Sequence, residues 1–109
     1  MHYDEHRKWA AAKVVAVAQC VLSGEMGIVA AARQLSSLRF DVDAEHDADF
    51  IFFVGVESET DHLPIGEVRS RWNPATLKEK DEDLQAFEVF RHDRAFEACR
   101  NLIRRYEPH

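Results

Sequence analysis

Between Pro74 and Glu107 the chain holds no glycine and no proline after Pro74 itself, so nothing there breaks a helix. Asn73-Pro74 reads as an N-cap followed by proline at the first helical position, where a missing N–H does no harm. Acidic residues crowd the early turns (Glu79, Asp81, Glu82, Asp83) and basic ones the end (Arg100, Arg104, Arg105), which complements the helix macrodipole. Leu84, Phe87, Arg91, Ala95, Ala98, Leu102 and Tyr106 recur at helical spacing, and Phe90, Cys99 and Ile103 widen the stripe. About thirty residues at ~1.5 Å each make a rod of about 45 Å. A globule of this size should have a radius of gyration of about 13 Å. The rod must therefore bend or split near Arg91–Asp93, or project to meet a second copy of the chain.

The 109 residues fit one domain, 1–109, large enough to bury roughly two-thirds of the unfolded surface without staples. A first helix is predicted from about Asp4 to Leu22, where Val14, Val17, Val21 and Leu22 share a wide apolar face with small alanines. Ser23-Gly24 ends it. A second helix is predicted from about Glu25 to Leu38, with Ile28, Ala31, Ala32, Leu35 and Leu38 on one face. The short connection makes the two antiparallel neighbours. Trp72, just before the capped helix, reads as a core anchor. Cys20 and Cys99 sit in apolar helical patterns and read as reduced core thiols.

The middle of the chain is chemically distinct. Residues 41–67 hold nine carboxylates (Asp41, Asp43, Glu45, Asp47, Asp49, Glu57, Glu59, Asp61, Glu67) and no Lys or Arg. Residues 1–40 carry a net +2 and residues 68–109 a net +1, so the overall −6 is concentrated in this belt. The belt is interrupted by the most apolar run in the protein, residues 50–56, Phe-Ile-Phe-Phe-Val-Gly-Val. Such a run must be buried, and its burial would hold the flanking carboxylates in fixed places. Phe50, Phe53, Val54 and Glu57 at i, i+3, i+4 and i+7 suit a short helix capped by Asp47 or Asp49. The same run suits a strand pairing with residues 38–42, giving a hairpin over about 38–57. No third strand is visible, and a lone hairpin is marginal. The expected fold is therefore mainly α, a compact three- to four-helix bundle with a long C-terminal helix. The alternative is α+β with that short hairpin.

Several patterns bear on chemistry. Glu57, Glu59, Asp61 and His62 are dense enough to hold a divalent cation or act as an acid/base pair, with Arg69 close by in sequence. The contrasting reading gives those groups to turns, caps and arginine partners, with Arg69 and Arg71 the nearest bases. Acidic residues alternate from Asp41 to Asp49, but this is no EF-hand loop. His46 stands where that loop needs glycine, and Phe52 where it needs a bidentate Glu. His2 and His6, spaced i, i+4, would suit a transition metal on one helical face. No Gly-rich phosphate loop, zinc-type cysteine spacing or Walker motif is present, so no cofactor is expected. The charged N-terminal residues lack the apolar core of a signal peptide, and no apolar stretch reaches membrane-spanning length. A cytoplasmic protein is expected. The acidic balance argues against nucleic acid, whose phosphates require a basic footprint.

The residues Ser58-Glu59-Thr60-Asp61-His62-Leu63-Pro64, with Ser23-Gly24-Glu25, Ala32-Arg33-Gln34-Leu35, Gly66, Arg69, Trp72 and Cys99-Arg100-Asn101-Leu102-Ile103, resemble small uncharacterised bacterial proteins grouped as a domain of unknown function. That resemblance implies a stand-alone bacterial cytosolic protein and no particular reaction. The expected role is a non-enzymatic binding or neutralising protein that presents an acidic surface to a basic protein partner. The alternative is a divalent-metal protein or hydrolase built on Glu57, Glu59, Asp61 and His62. A homodimer through the C-terminal helix is a third expectation.

Overall fold

The computed structural model describes residues 2–108, and among these every regular element is helical. In chain order they are α1 (Tyr3–Ser23), α2 (Ile28–Asp41), α3 (Ala48–Glu59), a 3-10 turn (Gly66–Arg71) and α4 (Pro74–Tyr106). Gly24 closes α1 in the left-handed conformation at φ +84, which glycine adopts without steric penalty. The second helix begins three residues later than the sequence suggests, because Glu25 to Gly27 form the turn. The hairpin over 38–57 does not form. Residues 38–41 belong to α2, and residues 48–59 coil into α3. Asp47 decides this locally, since its side chain accepts from the N–H groups of Asp49 and Phe50 and starts the helix. Strand pairing would leave no third strand to cover the apolar face, whereas the helix lays Phe50, Phe53 and Val56 into the core.

The core is shared by all four helices. Val14, Val17 and Val21 of α1 meet Leu35 and Leu38 of α2, Phe50 and Phe53 of α3, and Ala95, Ala98, Cys99 and Leu102 of α4. Small residues on α1 and α4 let these two helices approach closely, while the two phenylalanines supply bulk between α3 and its neighbours. Phe50 also meets Tyr106 edge-on, with ring centroids 6.1 Å apart.

Between projecting and splitting, α4 projects. It is continuous over 33 residues, and its buried positions are confined to Ala95, Ala98, Cys99 and Leu102. At ~1.5 Å per residue it is about 50 Å long, comparable to the longest molecular extent of 47 Å. The radius of gyration, 14.7 Å, exceeds the expectation for a sphere-like chain for the same reason. Asn73 caps the helix as expected, accepting from Ala75 N–H at 2.9 Å. Trp72 is not a core anchor. It is only half-buried, at the end of the 3-10 turn and outside the core cluster. Cys99 is a core thiol, but Cys20 is half-buried at the core's edge, and both are free.

Candidate functional site

The apolar run is buried on one face only, through Phe50, Phe53 and Val56, while Ile51 is 46% exposed, and five of the nine carboxylates in the belt it anchors are already paired. Asp41 accepts from His6 at 2.8 Å, and Asp43 is held by Tyr3 and Arg7 of α1. Asp43 sits at φ +55, a left-handed turn that Asp tolerates, so these contacts fix the corner after α2. Asp49 is the most enclosed carboxylate, with 9% of its side chain exposed. It receives Arg94 at 3.1 Å, Arg105 at 3.0 Å and Asn101 at 3.4 Å, all from α4. Arg105 also binds Asp47. Burial alone would push the Asp47 carboxyl up, but Arg105 and two backbone N–H groups outweigh it and hold the group below the usual carboxylate range. This network ties the start of α3 to the end of α4. Its members lie more than 40 residues apart in sequence, so spacing could not reveal it.

The predicted cluster does not gather. Glu59 turns to Arg91 of α4, which reaches both its oxygens at 3.1 and 3.2 Å. Asp61 and His62 are exposed, with the imidazole Nδ1 3.9 Å from the carboxylate. Glu57 is half-buried and makes no ion pair among the described residues. Arg69 grips Asp81 through two bonds of 2.7 and 2.8 Å, and not the nearby belt carboxylates. That pairing holds the Asp81 carboxyl below its ordinary value. Among the described residues no three His, Cys, Asp or Glu side chains come together as a metal site. His6 is committed to Asp41, while His2 lies exposed ahead of α1. Burial pushes the Cys99 thiol up to about 12, so it is no nucleophile at neutral pH. The Thr60–Leu63 turn is fixed instead by Arg33, which donates to the carbonyls of Thr60 and Leu63.

The surface with a distinctive arrangement lies on α4. Its inward bases are consumed: Arg91 by Glu59, Arg94 by Asp49, Arg105 by Asp47 and Asp49. Its outward acids are not. Glu79, Glu82, Asp83, Asp93 and Glu97 are all exposed and fall on one helical face by their spacing. Only Asp93 has an ionisable partner there, His92 at 3.0 Å. In the middle of that face stand Ala86, Val89 and Phe90, with Val89 71% and Phe90 75% exposed. The Arg91 guanidinium covers part of Phe90 at 4.8 Å.

Beside this face runs a groove of about 520 Å³ between α4 and the α1–α2 corner, walled by Val21, Met26, Ile28, Leu84, Val89 and Phe96. Both of its carboxylates are engaged within the protein, Asp81 by Arg69 and Glu88 by α2. Glu88 crosses the groove floor to accept from the N–H groups of Ile28 and Val29 at 3.1 and 3.3 Å. It therefore caps α2, whose own N-cap, Gly27, offers no side chain. Sequence reasoning missed Glu88 and this groove, because the capping partner lies 60 residues downstream of the helix start. Helical spacing places Phe90 on the apolar stripe of α4, but it stands 75% exposed, because no neighbouring helix reaches that face.

Comparisons with protein-family models, with curated proteins and with solved structures find no match. Among the described residues, no helix is long and apolar enough to cross a membrane.

Proposed function

We propose that the chain is a non-enzymatic binding protein that presents an acidic face to a basic protein partner, and that this face is the outer side of α4. The observation that carries the reading is the sorting of charge across one helix. Arg91, Arg94 and Arg105 of α4 turn onto belt carboxylates, whereas its carboxylates at 79, 82, 83, 93 and 97 point out around Val89 and Phe90, with Arg100 and Arg104 exposed towards the C-terminal end of the helix. The belt contributes less than its composition suggests, since Asp41, Asp43, Asp47, Asp49 and Glu59 are already paired. Unpaired exposed carboxylates retain a field that attracts a basic surface and suppresses acidic ones. A second copy suits the face poorly, because it would set the same excess of carboxylates against itself.

The test compares charge reversals at two places. Tagged protein is incubated with lysate of its own cell at low and high salt, alongside Glu82→Lys/Asp83→Lys and Glu57→Lys/Asp61→Lys variants. A basic protein retained at low salt, released at high salt, lost with the α4 variant and kept with the α3-end variant is the expected pattern. Retention that is indifferent to the α4 reversal, or no retained protein at low salt, overturns the proposal.

A further inference from the structure

Resting on that reading of the acidic face, we infer that the groove between α4 and the α1–α2 corner is the anchor pocket for apolar side chains of a basic amphipathic helix. The groove and the face are one continuous surface, because Val89 and Gln85 border both. Their chemistry differs in a way that assigns the two halves of a ligand. Inside the groove the carboxylates are spent: Asp81 holds Arg69, and Glu88 holds the first N–H groups of α2. A cation placed there would find no free counter-charge, whereas Met26, Leu84 and Val89 offer it apolar contact only. Just outside the groove Glu82 shares a surface with Gln85 and Val89 and is free, and there a lysine or arginine gains a partner. The ligand is therefore apolar on one stripe and basic beside it.

Helical form follows from what the protein can offer. Among the described residues there is no strand edge, so an extended segment could not add main-chain hydrogen bonds. Recognition must run through side chains, and a helix presents them at i, i+3, i+4 and i+7 while satisfying its own backbone. The volume of about 520 Å³ lies within the range of pockets that enclose a ligand. The exposure of Val89 at the groove rim leaves apolar surface that such a ligand would cover.

The test uses three labelled synthetic helices of equal length, titrated against the intact protein by fluorescence anisotropy. The first carries leucines on one stripe and lysines beside it, the second replaces the leucines by serine, and the third replaces the lysines by glutamate. The Leu/Lys helix should bind at least about tenfold more tightly than either of the others, a difference of one decade in Kd. Val89→Asp and Met26→Lys, one change at an exposed position and one at a half-buried side chain against the core edge, should bring the Leu/Lys helix down to the level of the Ser/Lys helix. Thermal melting confirms that each variant is folded. Equal binding of the Leu/Lys and Ser/Lys helices overturns the anchor pocket and leaves the acidic face standing. Equal binding of the Leu/Lys and Leu/Glu helices leaves an apolar groove and removes the acidic reading. No binding of any helix, or a sedimentation result in which a second copy covers the groove, overturns both.

Discussion

The two ends of α4 both carry an apolar stripe, and they do opposite things with it. From Arg94 to Tyr106 the helix is sunk between α1 and α3, with Ala95, Ala98, Cys99 and Leu102 buried and Arg94 and Arg105 locked onto Asp47 and Asp49. From Pro74 to Asp93 no residue is fully buried, and a phenylalanine and a valine stand in solvent. Both ends have apolar residues at helical spacing, so amphipathicity does not separate them. What separates them is whether a neighbouring helix is present to receive the stripe. Helical continuity across both ends holds the outer half in place although the core does not cover it.

Substitutions should divide along the same line. Phe53→Ala, on the side facing the buried end, should cost the most, about 3–5 kcal/mol of unfolding free energy by denaturant titration. A loss below about 1 kcal/mol there would mean that the shared core is not what holds α3 in place. Asp49→Ala should cost about 2 kcal/mol, since it strands Arg94 and leaves Arg105, still partly solvated, with Asp47 alone. Glu88→Ala, at the boundary between the two ends, removes the cap of α2 and should cost about 1 kcal/mol, with amide exchange at Ile28 and Val29 accelerating first. Restoration by Glu88→Asp would require the shorter side chain to span the groove, and it should be incomplete.

Acid titration sharpens the comparison from the charge side. Asp47 has a folded-state pKa below its unfolded value, so the unfolded chain binds its proton more readily. Its stabilisation is fully present above about pH 4 and is lost as pH falls through the lower folded value. Asp47→Asn keeps a capping side chain but removes the charge, so its stability curve should be flatter in that acid range than the parent's. The smallest effect belongs to the free end. Phe90→Ser and Val89→Ser should change unfolding free energy by less than about 0.5 kcal/mol, because these side chains touch little that folding buries. If either cost as much as Glu88→Ala, the outer face would be part of the fold and not a surface free to bind.

Much of the helical framework was legible locally. The span of α4 follows from the Asn73-Pro74 start and the absence of any breaker before Pro108, and the end of α1 follows from Gly24. Those features depend on neighbours within a turn of helix, which a linear sequence records directly. The buried faces of α1 and α2 followed from periodicity for the same reason. Tertiary structure alone decided the rest: that the 50–56 run coils instead of pairing, that Trp72 stays at the margin, and that Glu59 meets Arg91 while Arg69 goes to Asp81. It also decided that a belt holding nine carboxylates in sequence is partly neutralised in space, and that further exposed carboxylates share one face of α4. Charge pairing and long-range capping depend on distances of a few ångströms between residues tens of positions apart. Helical periodicity constrains which side of an element a group occupies, but not which element will lie opposite it.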